Sequence, residues 1–529
     1  MPLFPLRMMK GMREMVLKLI MLAVFFAVMI AVGIYCRRHA SDVNGFVLGG
    51  RSVGPWLTAF AYGTSYFSAV IFIGYAGQFG WKFGIASTWI GIGNALIGSL
   101  LAWVILGRRT RLMSQHLNTA TMPEFFGKRF DSKSLKIGAS VIVFIFLIPY
   151  TASLYNGLSR LFGMAFSIDY SICVIVMAVL TGIYVIAGGY MATAINDFIQ
   201  GIIMLLGIVA VIIAVLNGHG GFTESLRELA HVTDSAYPDN PGVFASFFGP
   251  DPLGLLSVVI LTSLGTWGLP QMVQKFYAIK SEKSINKGTI ISTIFALIVA
   301  GGCYFLGGFG RISGVSTDEA GMPIGGYDAV VPQMLENLPD ILMGVVVILV
   351  LSASMSTLSS LVLASSSTLT LDFIKGNIVK KMSDKKTVLT MRVFVVVFIL
   401  ISAAIAIVQY YGNLSFIADL MGISWGALAG AFLAPFLYGL YWKKVTKASV
   451  WVSFIFGAGI MTLNMLFRPY FPEILRSPVN CGAFAMLAGL VLVPLVSLAT
   501  RKPDKDTVDK MFSCYDKDVV VHAKESLGD

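Results

Sequence analysis

Two stretches of this sequence combine hydroxyl side chains with residues that interrupt a helix, inside otherwise apolar segments. The first, residues 63–68, reads Gly-Thr-Ser-Tyr-Phe-Ser. Backbone at membrane depth can leave helical geometry only where it is buried in protein or lines a cavity, and its freed carbonyls can then bind a cation. The stretch therefore predicts a broken transmembrane helix that holds an ion and a solute.

The second stretch, residues 352–360, reads Ser-Ala-Ser-Met-Ser-Thr-Leu-Ser-Ser. Ser356, Ser359 and Ser360 stand at i, i+3 and i+4, so they share one face of a helix. Hydroxyl and carbonyl oxygens suit a weakly bound alkali cation, whereas Mg²⁺ or Ca²⁺ would call for several carboxylates. The alternative is that these small residues only let two helices approach closely.

Asp197 stands at the start of a long apolar run. A carboxylate within a membrane costs about 3 kcal/mol on insertion scales and by default marks an ion or proton site. At a helix amino terminus near the membrane surface it would instead complement the helix dipole. Position alone leaves both interpretations open.

The composition places the chain in a membrane. Its 529 residues are 56% hydrophobic and only 13% charged, and the mean hydropathy is +0.79. Soluble domains carry about 25% charged residues. The net charge of +11 is therefore expected to lie in loops at the membrane surface rather than to bind nucleic acid. The five cysteines and five histidines show no metal-ligand spacing, so we expect no metal site built from them. Separately, we expect no cofactor, and no obligate protein partner is evident from the sequence.

Long apolar runs predict about thirteen transmembrane helices. The first, 15–35, follows basic residues like a signal peptide, but no small-residue cleavage site follows it, so we expect a retained span. The others lie near 55–80, 84–106, 135–163, 169–187, 190–216, 252–279, 286–310, 340–374, 390–410, 415–441, 446–467 and 479–500.

Basic residues cluster in alternate loops, which the positive-inside rule places in the cytoplasm of a plasma-membrane protein. One of these loops is expected to hold Lys275, Lys280, Lys283 and Lys287. An odd span count then puts the amino terminus outside and the carboxyl terminus in the cytoplasm. The basic residues before position 19 oppose this orientation. A later start would explain them, and the candidates are Met8, Met9, Met12 and Met15.

A second interrupted segment, 252–279, carries Gly265, Gly268 and Pro270 in mid-run. Broken helices at corresponding positions of two halves are typical of inverted-repeat carriers, although glycine and proline also occur in ordinary transmembrane helices. We divide the chain accordingly into an extra helix and loop (1–50), a first repeat (51–216), an extracellular loop (217–251), a second repeat (252–441), two peripheral helices (442–500) and a cytoplasmic tail (501–529).

Five motifs follow one another in the order Leu48-Gly49-Gly50-Arg51-Ser52-x-Gly54, the stretch 64–68, Gly188-Gly189 with Asn196-Asp197-x-x-Gln200-Gly201, Gly268-Leu269-Pro270, and Ala353-x-x-Ser356-Thr357. In this order and spacing the chain resembles the sodium/solute symporter family over nearly its whole length. The resemblance implies an all-α membrane protein of the LeuT type, built from two inverted five-helix repeats. It also implies sodium-coupled uptake of a small organic solute by alternating access, rather than an enzyme.

The resemblance also implies site residues. The common sodium site would use the carbonyls of Thr64, Phe67 and Ala353 and the hydroxyls of Ser356 and Thr357. Some family members have a second sodium site, which would fall here on Asp197, Ser359 and Ser360. The residues expected to line the solute pocket are Tyr66, Ser68, Tyr150, Thr266, Trp267 and Gln271.

The match is closest to the pantothenate and proline symporters, yet the chain departs from the proline pattern. Tyr66 stands where the proline carrier has an aspartate, and Thr262 and Thr266 replace two aromatic residues. Positive half-helix ends and bound sodium favour a carboxylate-bearing solute such as a pantothenate-, amino-acid- or monocarboxylate-like compound. The alternative within the family is a sugar or sialic acid. Outside the transporter class, the alternatives are an ion channel and a membrane sensor.

Overall fold

The computed structural model describes residues 3–516, apart from 167, 235, 239, 337, 376, 380 and 413–416. Side chains are described from residue 15 onward, with those of 38, 39, 164, 165 and 340 also left out. The last part of the predicted tail, 517–529, lies outside the described residues, as do the side chains of the candidate starts before Met15.

The described chain is built from helices, without a β-sheet. The α-helices of eight or more residues are Leu3–Cys36, Pro55–Tyr66, Ala76–Phe83, Arg108–His116, Met122–Arg129, Lys133–Phe166, Tyr170–Gly218, Phe222–Ala230, Pro252–Gly268, Pro270–Ala278, Glu282–Gly307, Asp340–Thr368, Asp384–Gly412, Ile417–Tyr441, Lys447–Phe467, Pro478–Ala499 and Lys505–Phe512.

Ten helices in the described residues are long and apolar enough to cross a membrane, or eleven if the bent pair Pro252–Gly268 and Pro270–Ala278 is one span. The sequence predicts thirteen spans, and this criterion does not confirm that number. At two predicted boundaries between spans the helical run is continuous, so each run counts as one span. One is within Val70–His116. The other is at Gly189 in Tyr170–Gly218, where φ is 56° and an added Cβ would lie 2.8 Å from the backbone oxygen of Phe46. Only glycine tolerates that position.

The helix Ile417–Tyr441 lies at the centre of the bundle, since 94% of its most apolar window is buried. The amino-terminal helix is at the periphery: 17% of its window is buried, and it packs mainly along Tyr170–Gly218. Helices whose apolar side chains face outward suit a lipid environment, whereas the polar residues collect inside. A functional site that needs polar groups is therefore expected in the buried interior, between the central helices.

The first broken helix consists of Pro55–Tyr66 and, after a break, residues 70–83. Phe67 has extended backbone (φ −97°, ψ 116°), which interrupts the helical hydrogen-bond ladder. The hydroxyl of Thr64 donates back to Phe60 O at 2.8 Å, and Ser68 Oγ accepts from Val70 N at 3.2 Å. Ser68 thus caps the start of the second half and the Thr64 hydroxyl bonds back within the first, while the main-chain carbonyls beside the break turn towards a neighbouring helix.

The second broken helix consists of Pro252–Gly268 and Pro270–Ala278, bent by 48° at Leu269. Pro270 has no N–H and so cannot continue the hydrogen-bond ladder. The end of this helix pairs with the chain just before the first broken helix: Val53 N donates to Ala278 O at 3.2 Å, and Lys280 N donates to Val53 O at 3.1 Å. This pairing holds the two broken helices side by side.

Candidate functional site

Five oxygens meet where the helix Asp340–Thr368, called here the serine-rich helix, faces the first break. Thr357 Oγ1 lies 3.0 Å from Thr64 O, 3.2 Å from Phe67 O and 3.1 Å from Ala353 O. Ser356 Oγ lies 3.2 Å from Thr64 O and 3.1 Å from Ala353 O. The structure thus brings together all five residues that the sequence predicts for the common sodium site, and all five are buried.

This oxygen cluster has more acceptors than donors. The hydroxyls of Ser356 and Thr357 supply two hydrogens, whereas the three carbonyls offer two lone pairs each. The two hydroxyls can donate hydrogen bonds to at most two of the three carbonyls at one time. A cation bound among the oxygens would interact with all three carbonyls at once. The cluster contains no carboxylate, so a monovalent cation suits it better than a divalent one. The donor set therefore fits sodium as a transported substrate.

Asp197 is fully buried on the helix Tyr170–Gly218 and faces Lys275 of the second broken helix. Lys275 Nζ lies 3.7 Å from Asp197 Oδ2 and 3.0 Å from Ser360 Oγ. Ser359 instead donates to Ser356 O within its own helix at 2.9 Å. Of the residues predicted for a second sodium site, Asp197 and Ser360 converge on a lysine ammonium, and Ser359 does not join them.

Three aromatic side chains pack beside the first break. The Trp425 ring centroid lies 5.8 Å from that of Tyr66 and 5.8 Å from that of Tyr150. Both tyrosine hydroxyls and Trp425 Nε1 are buried without a hydrogen-bond partner in the described part of the chain, as are both amide atoms of Gln271. Leaving such a group unsatisfied costs about 1–3 kcal/mol. These side chains therefore keep polar atoms that a polar ligand or water could satisfy.

The other residues predicted for the solute pocket are engaged elsewhere. Thr266 Oγ1 donates to Gly98 O at 3.0 Å, and Trp267 Nε1 donates to Ile97 O at 3.0 Å. These contacts anchor the second broken helix to its neighbour. The hydroxyl of Ser68 caps the second half of the first broken helix. In this structure Tyr66, Tyr150 and Gln271 keep polar atoms available, whereas Thr266 and Trp267 use theirs for packing.

Sequence reasoning missed two residues at these sites. Trp425 lies in the predicted span 415–441, where it reads as an ordinary core residue. Lys275 was expected in a cytoplasmic loop, but the structure buries it within the second broken helix, with 2% of its side chain exposed. This placement corrects the prediction. The available signal was that Lys275 stands inside the predicted span 252–279, where a charge marks a functional group by default.

Comparison with known proteins decides the family. The sodium:solute symporter family profile matches residues 46–457, which is most of the chain. The chain belongs to the sodium:solute symporter family. It is therefore a sodium-coupled symporter of a small organic solute rather than an enzyme, as the resemblance predicted.

Relatives agree with this family over nearly the full length. The osmoregulated proline transporter OpuE of Bacillus subtilis is 28% identical over 94% of this chain and 98% of its own. A sodium/proline symporter of Staphylococcus aureus is 30% identical over 92% of this chain and 93% of its own. These relatives support the multi-pass membrane architecture of the symporter.

A solved structure shares the fold. The substrate-bound outward-open state of a Na⁺-coupled sialic acid symporter aligns with a TM-score of 0.75 over 92% of this chain and 98% of that chain, at 16% identity. The all-helical transporter fold predicted from the sequence is thereby confirmed.

Proposed function

We propose that this symporter imports a small carboxylate-bearing solute across the plasma membrane, with sodium bound at the oxygen cluster of Thr64, Phe67, Ala353, Ser356 and Thr357. The observation that carries the proposal is the contact of the Thr357 hydroxyl with three main-chain carbonyls from two helices. A cation there would join the first broken helix to the serine-rich helix. Sodium would then favour the outward-open state by binding it more tightly, which is a shift of population.

We further propose that the helices form two inverted five-helix repeats within thirteen spans, the long runs Val70–His116 and Tyr170–Gly218 each contributing two crossings. Gly189 supports the second of these assignments, since its left-handed backbone separates two halves that are each long enough to cross a bilayer. The two broken helices would then occupy corresponding positions of the repeats. This arrangement supports a central site that opens alternately to either side.

The polar groups of the three aromatic side chains beside the first break support a carboxylate. Tyr66, Tyr150 and Trp425 pack together and offer hydroxyl and indole N–H donors without a charge. A carboxylate accepts several hydrogen bonds, and such charge-assisted bonds are stronger than neutral ones. The positive helix end at Pro270 and sodium beside Tyr66 would add to this preference. Proline is one candidate solute, because the relatives named above are proline transporters. Other carboxylates should also be tested, because Tyr66 stands where the proline carrier has an aspartate.

A thermal-shift screen tests the solute class. Sialic acid is included in the screen as the alternative substrate. We expect one carboxylate among proline, pantothenate and short monocarboxylates to raise the melting temperature of the purified protein when sodium is present. Its amide or ester analogue is expected to give no shift, because it lacks the charge. Ligand that binds the native state stabilises by about 2.7 kcal/mol at a concentration of 100 times Kd.

Potassium in place of sodium serves as the control for this screen. Stabilisation of equal size in potassium would contradict coupling through the proposed site. Glucose is the neutral competitor, and a shift with glucose but with none of the acids would overturn the carboxylate assignment in favour of a sugar.

The charge distribution supports a carboxyl terminus in the cytoplasm. Tyr515 O accepts hydrogen bonds from Arg108, and Asp509 pairs with Lys443 at 2.7 Å, so the tail packs against two basic loops. The ion pair of Arg311 with Asp234 joins the predicted extracellular loop 217–251 to the chain just after the predicted span 286–310. With thirteen spans, the amino terminus would lie outside.

Cysteine labelling tests this orientation. The five native cysteines are buried, so a membrane-impermeant maleimide applied to intact cells is expected to label Glu319→Cys and to spare Asp506→Cys until the membrane is opened. Both positions are exposed. The reverse pattern would contradict the orientation, and labelling of the unsubstituted protein controls for the native thiols.

A further inference from the structure

A cavity of about 470 Å³ lies beside the helix Lys505–Phe512, called here the tail helix. Its lining includes the first residues of the helix Lys447–Phe467 and Thr500, directly after the helix Pro478–Ala499. Both of these helices are long and apolar enough to cross a membrane, so the cavity stands at the level of the lipid headgroups. Pockets for small ligands measure about 300–1,000 Å³, and this cavity falls within that range.

The lining of the cavity carries an excess of positive charge. Its charged members are the two acids Asp131 and Asp504 and the four cations Arg129, Lys447, Arg501 and Lys502. Asp504 caps the tail helix, because it accepts from Thr507 N at 2.9 Å and from Thr507 Oγ1 at 2.6 Å. Asp131 Oδ2 lies 3.9 Å from Lys447 Nζ. The two carboxylates therefore leave two positive charges uncompensated.

Arg501 and Lys502 are the cations of the lining that can bind a ligand. Both side chains are exposed, and neither has a hydrogen-bond or ion-pair partner in the described part of the chain. Arg129 is fixed instead: it is buried, and its Nε donates to Gly439 O at 2.9 Å. Cations in this arrangement suit a phosphate group, since charge-assisted hydrogen bonds to phosphate are strong. The positive-inside rule explains basic residues beside a span, but not their position around one cavity.

An apolar groove of about 430 Å³ lies on the same helix face as the cavity. Lys447 lines the cavity, whereas Trp451 and Ile455, which follow it at intervals of one helical turn, line the groove. Ile142 of a neighbouring helix forms the other wall. From Trp451 to Leu463 the helix rises about 18 Å, and the hydrocarbon of one leaflet is about 15 Å thick. The groove is therefore long enough for an acyl chain.

We propose that the cavity and the groove together bind one anionic phospholipid, with its phosphate at Arg501 and Lys502 and one acyl chain along residues 451–463. A soluble phosphate compound would use the cavity alone, whereas an amphiphile uses both the charged and the apolar part. Basic residues directly beside a spanning helix attract anionic headgroups. The site is separate from the proposed sodium and solute sites and does not depend on them.

Native mass spectrometry of the purified full-length protein tests the headgroup. We expect phosphatidylglycerol to bind the wild type about tenfold or more tightly than phosphatidylcholine with the same acyl chains, because each basic residue adds to the attraction of a net negative lipid. Arg501→Gln with Lys502→Gln is expected to remove this preference. Equal binding of the two lipids by the wild type would overturn the inference, as would a preference that survives in this variant.

Lys385→Gln with Lys386→Gln is the matched control. These lysines are likewise adjacent and exposed, and they stand at the start of the helix Asp384–Gly412. The control should keep the wild-type preference for phosphatidylglycerol. An equal loss of preference in the control would show attraction by the net charge alone and would overturn the site.

Gly459→Phe tests the groove without changing any charge. A Cβ at Gly459 would meet no atom within 4 Å, so the variant is expected to fold, which an unchanged melting temperature would verify. Its ring would take the place of the acyl chain, so the tight binding of phosphatidylglycerol should be lost. Unchanged binding would contradict the lipid groove.

Glycerol phosphate separates a lipid from a soluble ligand, because it carries a phosphate without acyl chains. At a concentration equal to that of the lipid it is expected to leave bound phosphatidylglycerol in place. Displacement of the lipid would identify a soluble phosphate compound as the ligand and would overturn the lipid assignment.

Discussion

Replacing Ser356 and Thr357 together with alanine is expected to raise the sodium concentration for half-maximal uptake by about 100-fold or more. Each hydroxyl would supply one oxygen to sodium, and a hydrogen bond or contact to a charged group contributes about 1.5–3 kcal/mol. Every 1.4 kcal/mol is about tenfold in affinity. The carbonyls of Thr64, Phe67 and Ala353 would remain, so binding would be weakened while the main-chain geometry is kept.

Sodium-dependent uptake of the solute found in the screen provides the measurement. The matched control is Ser366→Ala with Ser367→Ala, on the same helix. Both of these hydroxyls are buried and donate only to carbonyls of their own helix, at Leu363 and Ala364. The control should keep the wild-type sodium dependence. An unchanged sodium response in the Ser356 and Thr357 variant would show that the ion binds elsewhere.

The second large effect is expected at the solute. Tyr66→Phe combined with Tyr150→Phe should raise the KM for the solute by about 100-fold or more, because each change removes one hydroxyl donor to a charged group. The rings remain, so packing against Trp425 is kept. Sodium binding measured without solute should change little, since in the proposed arrangement the side chain of Tyr66 would contact the solute and the carbonyls of Thr64 and Phe67 would contact the ion.

Tyr62→Phe is the control for this variant. Tyr62 is a buried tyrosine one turn earlier on the first broken helix, and its hydroxyl already donates to Gly98 O at 2.8 Å. Its loss is expected to leave the KM within about threefold. Equal effects of Tyr62→Phe and of the double variant would indicate a general loss of packing rather than a solute contact.

Local patterns in the sequence marked the two segments that form the oxygen cluster, but they did not show that the two segments face each other. The run 63–68 carries a hydroxyl, that of Ser68, which caps the start of the second half, so the position of the break is marked by neighbouring residues. The spacing of Ser356 and Thr357 on one helix is likewise local. Their convergence on Thr64 and Phe67 came from the family resemblance, because no short-range pattern says which two helices face each other.

The predicted solute pocket depends on contacts between segments that are distant in sequence. The sequence was less informative about these contacts. Thr266 and Trp267 looked like pocket residues because they flank a break, but helical rotation directs their polar atoms towards Gly98 and Ile97. Trp425 has no local signature at all. Lys275 was assigned to a loop by charge, since its counter-charge Asp197 comes from the helix Tyr170–Gly218, which is distant in sequence.

Direct binding of radioactive sodium to the purified Ser356→Ala and Thr357→Ala double variant tests the central claim most closely. The account predicts that saturable binding is lost at sodium concentrations that fill the wild type, while the Ser366 and Ser367 control binds as the wild type does. Wild-type affinity in a correctly folded double variant would contradict it.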